Sequence, residues 1–243
     1  KRATEKQLVA LEKARKAAEA NRTCSECGEI YGAKEIVKQE DGSLICRNCI
    51  DWMLWERRKA SMMAEGERMF KSWFYEDIVI LDTETTDLEG EIVEIGIIDR
   101  NGNTMFHSLV KPVHSVADDS PATLIHGITN NQLVDAPVWA DVWVHVLSLL
   151  KDKYILAFNA AFDETMIENS CKRNRIEPVR FKWGCVMEAY RLSNGSEKRI
   201  SLQDASGIYT AHRALEDCRS TLAVIRSKWN ELGLSLETNA ILK

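Results

Sequence analysis

Two Cys-x-x-Cys pairs, Cys24-Ser-Glu-Cys27 and Cys46-Arg-Asn-Cys49, stand 18 residues apart near the start of the chain. Each pair lets two thiolates reach one ion from a tight turn, and the interval falls within the spacing of zinc-binding ribbons. The residues between suit a short hairpin: a strand at Ile36–Gln39, a turn at Glu40-Asp41-Gly42 and a return at Leu44–Ile45. Four sulfurs fill a tetrahedral shell and leave no position for a reacting water. Zinc on Cys24, Cys27, Cys46 and Cys49 is therefore expected to hold a fold rather than to do chemistry. Such ribbons bind nucleic acid, bind protein or brace a neighbour, and the residues between the pairs do not decide among these.

Helices are expected on both sides of this module. Residues 1–22, rich in Ala, Lys and Glu, predict a basic helix with Leu8 and Leu11 on one stripe. Residues 23–50 form the ribbon. Residues 51–75 predict a linker helix whose Trp52, Trp55, Met62, Met63, Met69, Phe70, Trp73 and Phe74 supply too much apolar surface for a free linker. That helix is expected to pack on the ribbon at one end and on the next domain at the other, with partner binding or self-association as the minor reading.

The texture changes at Asp77. Residues 78–84 (IVILDTE), 91–99 and 104–111 predict three strands, with Asn101-Gly102 as a turn. Residues 119–150 read as helical pieces interrupted by Pro121, Gly127 and Pro137. Residues 154–159 predict a short strand that runs into a helix over Ala160–Asn174, and 181–186 a last strand. Helices near 186–192, 201–207 and 212–231 close a domain of residues 76–231, followed by a tail of 232–243. A meander followed by strand–helix alternation predicts an α/β domain: a mixed sheet flanked by helices.

Three acidic segments interrupt this apolar framework. Asp82 and Glu84 end a strand, where residues two apart share a face, so the two carboxylates point the same way and repel unless cations neutralise them. All-oxygen sites of this kind favour Mg²⁺ or Mn²⁺. Taken alone, Asp163 in the Asn159-Ala-Ala-Phe-Asp segment reads as an acidic residue near the positive end of a helix. His212 precedes Asp217 by five residues, about 140° apart on a continuous helix. With Asp217 facing a site, His212 is better placed on the loop before the helix.

Taken together, LDTETTDLEGEIVEIGIID, LIHGIT, AFNAAFDETMI and HRALEDCRSTLAVI resemble the DEDDh group of DnaQ-like exonucleases in the ribonuclease-H-like superfamily, with an exonuclease X-like layout. The resemblance covers roughly residues 76–231. It implies a five-stranded sheet, three strands antiparallel and two parallel, with helices on both sides. It implies that Asp82, Glu84, Asp163 and Asp217 hold two divalent ions, with Asp82 as the bridging ligand and His212 as general base. It implies 3′–5′ hydrolysis that releases 5′-mononucleotides. Two cations about 4 Å apart suit an in-line displacement, and an imidazole, with an ordinary pKa of ~6.5, suits proton transfer near neutral pH. Thr85, Thr86, Leu88 and His126 are expected at the terminal nucleotide, and Asn159 and Phe162 around the pocket and the second metal. Core packing is an equal reading of Leu88 and Phe162, and a buried structural carboxylate an equal reading of Glu94.

The net charge is −5, the same sign as a nucleic-acid substrate. It divides unevenly: residues 1–75 hold 15 Lys/Arg and 12 Asp/Glu, residues 76–243 hold 17 and 25. A carboxylate metal site makes its domain acidic until cations arrive, so the balance argues against tight, metal-free, nonspecific DNA binding rather than against a phosphodiester substrate. DNA is favoured over RNA by the branch resembled. The alternatives are a 3′–5′ exoribonuclease, or a recruitment factor acting mainly through residues 1–75. No apolar run reaches the ~20 residues of a membrane helix. Seven cysteines, an odd number, without a secretion signal predict a reducing, cytoplasmic location. Lys1 rather than Met opens the chain, so a preceding targeting segment stays open.

Overall fold

The computed structural model describes residues 5–20, 22–209 and 212–235. Contacts divide the chain into two compact units, Lys1–Ser61 and Met62–Lys243. Parts of the predicted first helix (1–4 and 21) and of the predicted tail (236–243) lie outside the described residues. No helix among the described residues is long and apolar enough to cross a membrane.

In the first unit, α1 (Glu5–Ala20) is built from strong helix formers, with Glu–Lys/Arg pairs one turn apart. Leu8 and Leu11, the apolar stripe of this helix, are exposed. β1 (Ile36–Lys38) and β2 (Leu44–Cys46) form the expected hairpin, Ile36 opposite Cys46, around a turn in which Gly42 takes φ 87°. The helix α2 (Arg47–Phe74) begins directly at the end of β2. It therefore starts earlier than residue 51, because the second Cys pair is itself the strand-to-helix junction. Cys24, Ile45 and Cys46 form a small core with Tyr31, Ile36, Cys49, Ile50 and Met53. Trp52 and Trp55 are exposed, with the Lys59 ammonium 4.9 Å above the Trp55 ring.

The second unit is a sandwich of helices about one sheet. Its strands are β3 (Ile78–Thr85), β4 (Ile92–Asp99), β5 (Thr104–Leu109), β6 (Tyr154–Ala157) and β7 (Lys182–Cys185), in the order β5-β4-β3-β6-β7. β3, β4 and β5 pair antiparallel, and β3, β6 and β7 pair parallel. α3 (Pro121–His126), α4 (Asn130–Leu133) and α5 (Trp139–Leu150) connect β5 to β6, and α6 (Ala160–Arg173) connects β6 to β7. α7 (Val186–Ser193), α8 (Leu202–Ser206) and α9 (Ala214–Glu231) follow. Pro121 opens α3 rather than breaking a helix: Ser120 Oγ accepts from Thr123 N at 3.2 Å, and proline suits the first turn, where its missing N–H is not needed.

The pleat of β3 sorts its side chains. Ile78 and Ile80 enter a core with Phe70, Trp73, Leu222 and Trp229, whereas Val79 and Leu81 enter another with Trp139, Val146, Met166 and Ile167. α9 thus covers one face, and α5 and α6 cover the other. Even-numbered side chains of β3 face α9 and odd-numbered ones face α6. That alternation continues past Leu81 into the acidic end of the strand and decides which helix meets which residue there.

Candidate active site

Asp82 and Glu84 carry the even parity of β3 onto the α9 face. There they meet Asp217 from the first turn of α9, and carboxylate oxygens of all three lie within 4.8 Å of one another. The close approach depends on Gly96, which stands opposite Asp82 in the ladder. A Cβ on Gly96 would lie 2.9 Å from backbone atoms of Ala214 and Leu215. Burial, then the charges of Asp163, Glu84 and Asp217, push Asp82 well above the ordinary carboxylate range. Burial, then Asp217 and Glu94, raise Glu84 to about 8. Burial raises Asp217 to about 6 against the opposing pull of His212. Asp217 Oδ1 is buried without a hydrogen-bond partner. Three crowded carboxylates and an orphaned oxygen form a donor set that fits a hard divalent cation.

Asp163 approaches from the opposite side. It lies in the first turn of α6, is 3% exposed, and accepts a 2.9 Å hydrogen bond from Thr83 Oγ1. Burial raises it to about 7 against the hydrogen bonds it accepts. It stands beside the three-carboxylate cluster rather than within it, close enough for its charge to act on Asp82. His212 lies outside α9, as the spacing predicts, with a left-handed φ of 48°. Its charge reaches both Asp217 and His126. Arg213 next to it forms a two-pronged ion pair with Glu94, the shorter contact 2.6 Å.

A cleft of about 860 Å³ adjoins the cluster, with Glu84 in its wall. This volume is in the range of small-molecule sites. Thr85, Thr86, Leu88, His126 and Phe162 all line it. Leu88 is 82% exposed, which sets aside the core-packing reading. Asn159 is not among the lining residues; it occupies the N-cap position of α6 without a side-chain cap bond. His126 is buried, and both its ring nitrogens serve the backbone: Nδ1 accepts from Ile128 N at 2.9 Å, so Nε2 donates to Thr85 O at 3.2 Å. Burial lowers its pKa. It therefore offers a neutral ring face, not a free nitrogen, to a ligand.

Sequence reasoning passed over Glu91 and Arg173 in the same cleft. Glu91 Oε1 accepts from Val113 N at 2.9 Å and His114 N at 3.3 Å, tying the opposite wall to the sheet. Arg173 Nη1 lies 3.8 Å from the same oxygen. No local pattern marks such long-range pairs.

In the first unit, sulfurs of Cys24, Cys27, Cys46 and Cys49 lie within 4.8 Å of one another. Cys46 N donates to Cys24 Sγ at 3.3 Å, and Cys49 N donates to Cys46 Sγ at 3.4 Å. Against burial, which pushes the thiol up, backbone donors at Cys27, Cys46 and Glu26 bring Cys24 down to about 6. Backbone N–H groups directed at sulfur stabilise thiolates, the form that binds zinc.

The sequence model of the Exonuclease (RNase_T) family matches residues 79–225. An uncharacterized exonuclease of Escherichia phage 186 is 36% identical over 175 residues, covering 64% of this chain and 89% of the relative. Exodeoxyribonuclease 10 of Escherichia coli K12 is 31% identical over 175 residues, covering 66% and 72%. Among solved structures, exonuclease X in complex with 5′ overhanging duplex DNA superposes with a TM-score of 0.50 at 28% identity, covering 66% of this chain and 95% of that one. The nuclease domain of the DEDDh family member 3′hExo, bound to rAMP, shares the fold at 20% identity with a TM-score of 0.51, covering 65% and 94%.

Proposed function

The chain belongs to the Exonuclease family, and on that premise we propose that it removes 5′-mononucleotides one at a time from a free 3′ end, with DNA as the favoured substrate. The meeting of Asp82, Glu84 and Asp217 oxygens within 4.8 Å carries this reading, because Glu84 also belongs to the wall of the adjoining cleft. Those three residues, with Asp163, would hold two Mg²⁺ or Mn²⁺ ions, which when bound neutralise charge on the phosphodiester oxygens. Thr85, Thr86, Leu88, Phe162 and the His126 ring hold the terminal nucleotide so that its scissile phosphate lies at the Glu84 end of the cleft. Asn159, whose carbonyl accepts from Phe162 N at 2.8 Å, opens the first turn of α6. His212 accepts a proton from the attacking water. The water oxygen bonds to phosphorus, the bond from phosphorus to the 3′ oxygen breaks, and that oxygen leaves on the shortened strand and takes a proton from solvent water.

The preference for DNA rests on the names of two similar proteins, an exodeoxyribonuclease and an exonuclease bound to duplex DNA. A structural zinc on Cys24, Cys27, Cys46 and Cys49 would hold the first unit together. The test is digestion of matched 5′-labelled single-stranded DNA, duplex DNA and RNA with added Mn²⁺. A ladder shortening from the 3′ end, fastest on DNA and absent in Asp82→Ala, is expected. If all three substrates stay intact, the nuclease reading fails; if RNA is cut faster, only the DNA preference does.

A further inference from the structure

β4 delivers a carboxylate to the α9 face that the metal cluster does not include. Glu94 is 1% exposed and stands opposite Glu84 in the β3–β4 ladder. Its two oxygens are engaged by four donors. Oε2 accepts from Arg213 Nε at 2.9 Å and from Ala214 N at 3.1 Å. Oε1 accepts from Arg213 Nη2 at 2.6 Å and from His107 Nε2 at 2.7 Å. Those donors hold Glu94 below its ordinary range against the burial that pushes it up. With its lone pairs so used, Glu94 has little left to offer a metal.

Three of those four donors belong to the residues directly after His212. A non-glycine residue at φ 48° sits in a sparsely populated region that persists only where neighbours over-determine it. α9 has no side-chain cap of its own at Arg213, so its first N–H finds an acceptor on the sheet instead. The guanidinium fork fixes direction as well as distance, which a lysine ammonium would not do.

We propose that Glu94 and Arg213 are positioning residues for His212. Their fork anchors the chain at residues 213–214 to β4, and so sets the left-handed turn that presents the imidazole beside Asp217. This rests on the reading of His212 as general base. It predicts that Arg213 acts on the reaction through His212, whereas a merely structural ion pair would act independently of it.

A double-mutant cycle on the full chain with Mn²⁺ and a labelled oligonucleotide tests this. Arg213→Lys is expected to lower kcat about 10- to 100-fold, the usual cost of losing a supporting partner, with KM nearly unchanged. Glu94→Gln is expected to do the same. In a His212→Ala background, Arg213→Lys should cost nothing further. Arg213 is partly exposed, so its lysine variant should keep the wild-type circular dichroism spectrum. An equal fold-loss in both backgrounds, or wild-type kcat in Arg213→Lys, overturns the proposal. Wild-type kcat in His212→Ala overturns the general-base reading, and the proposal with it.

Discussion

The hydroxyl of Thr83 donates a 2.9 Å hydrogen bond to Oδ1 of Asp163. Thr83 stands between Asp82 and Glu84, so the pleat turns it to the opposite face, toward α6. Three consecutive residues of β3 therefore organise both sides of the site, two through their own carboxylates and one through the carboxylate it holds. Removing that donor leaves a buried carboxylate with one fewer bond, which favours its neutral form further. In Thr83→Val, the Mn²⁺ concentration for half-maximal rate should rise about tenfold, in line with losing a bond behind a metal ligand. Thr83→Ser should restore the wild-type value. An unchanged Mn²⁺ titration in Thr83→Val would remove Asp163 from the metal site.

Crowding of the carboxylates sets a pH dependence of stability. Glu84 at about 8, Asp163 at about 7 and Asp217 at about 6 bind protons more tightly in the folded chain than in the unfolded one. The stability they contribute is fully present below the ordinary carboxylate pKa of about 4 and is lost as pH rises through these folded values. Without divalent ions, the melting temperature should fall between about pH 5 and about pH 8. The increment from added Mn²⁺ should grow over the same interval, because cations need the ionised forms. A flat ion-free profile would mean that the carboxylates do not share a site.

Gly96 admits α9 to the sheet. A methyl group there meets backbone rather than a mobile side chain, so α9 must shift at its first turn, which carries Asp217 and follows His212. Gly96→Ala should lose about 1–3 kcal/mol of stability, as overpacking does. It should also lose about a hundredfold in kcat, as a misplacement of about 1 Å can. A folded variant with wild-type kcat would show that the α9 approach is not critical.

For the first unit, elemental analysis of protein purified without chelator should find one zinc per chain, and Cys46→Ser should abolish it. The second unit has its own two cores. The same variant should therefore keep Mn²⁺-dependent hydrolysis of a short oligonucleotide. Loss of that hydrolysis would mean that the zinc module is needed for the chemistry itself.

The mixed sheet and the shared face of Asp82 and Glu84 were legible because both follow from local periodicity. So was the off-helix location of His212, since five residues cannot return to the same helix face. Asp163 was ambiguous by itself: its meaning depends on Thr83, 80 positions away. A longer separation hid the contact of Arg213, whose partner Glu94 is 119 positions earlier. Reading Glu94 as a buried structural carboxylate agrees with its contacts, but nothing local says which cation it meets. The resemblance places Asn159 around the pocket and the second metal; it stands at the N-cap of α6, the helix that carries Asp163, and is not in the cleft wall. The early start of α2 was missed because a Cys pair was read only as a turn.

Between Glu84 and Thr85 the β3–β4 register slips by one: Glu84 faces Glu94, Thr85 faces Ile92, and Val93 has no counterpart. Ile92 enters the core with Leu81 and Met166, while Glu94, two residues later, turns to Arg213. In an uninterrupted ladder these two side chains would share a side. The strand changes phase here, with Glu91 and the cleft wall it holds on one side of the slip and the anchor of α9 on the other. A changed side chain at Val93 alters packing locally. A deletion there would put one of the two anchoring carboxylates on the wrong face, so this stretch of β4 is far less tolerant of a change in length than of a change in residue.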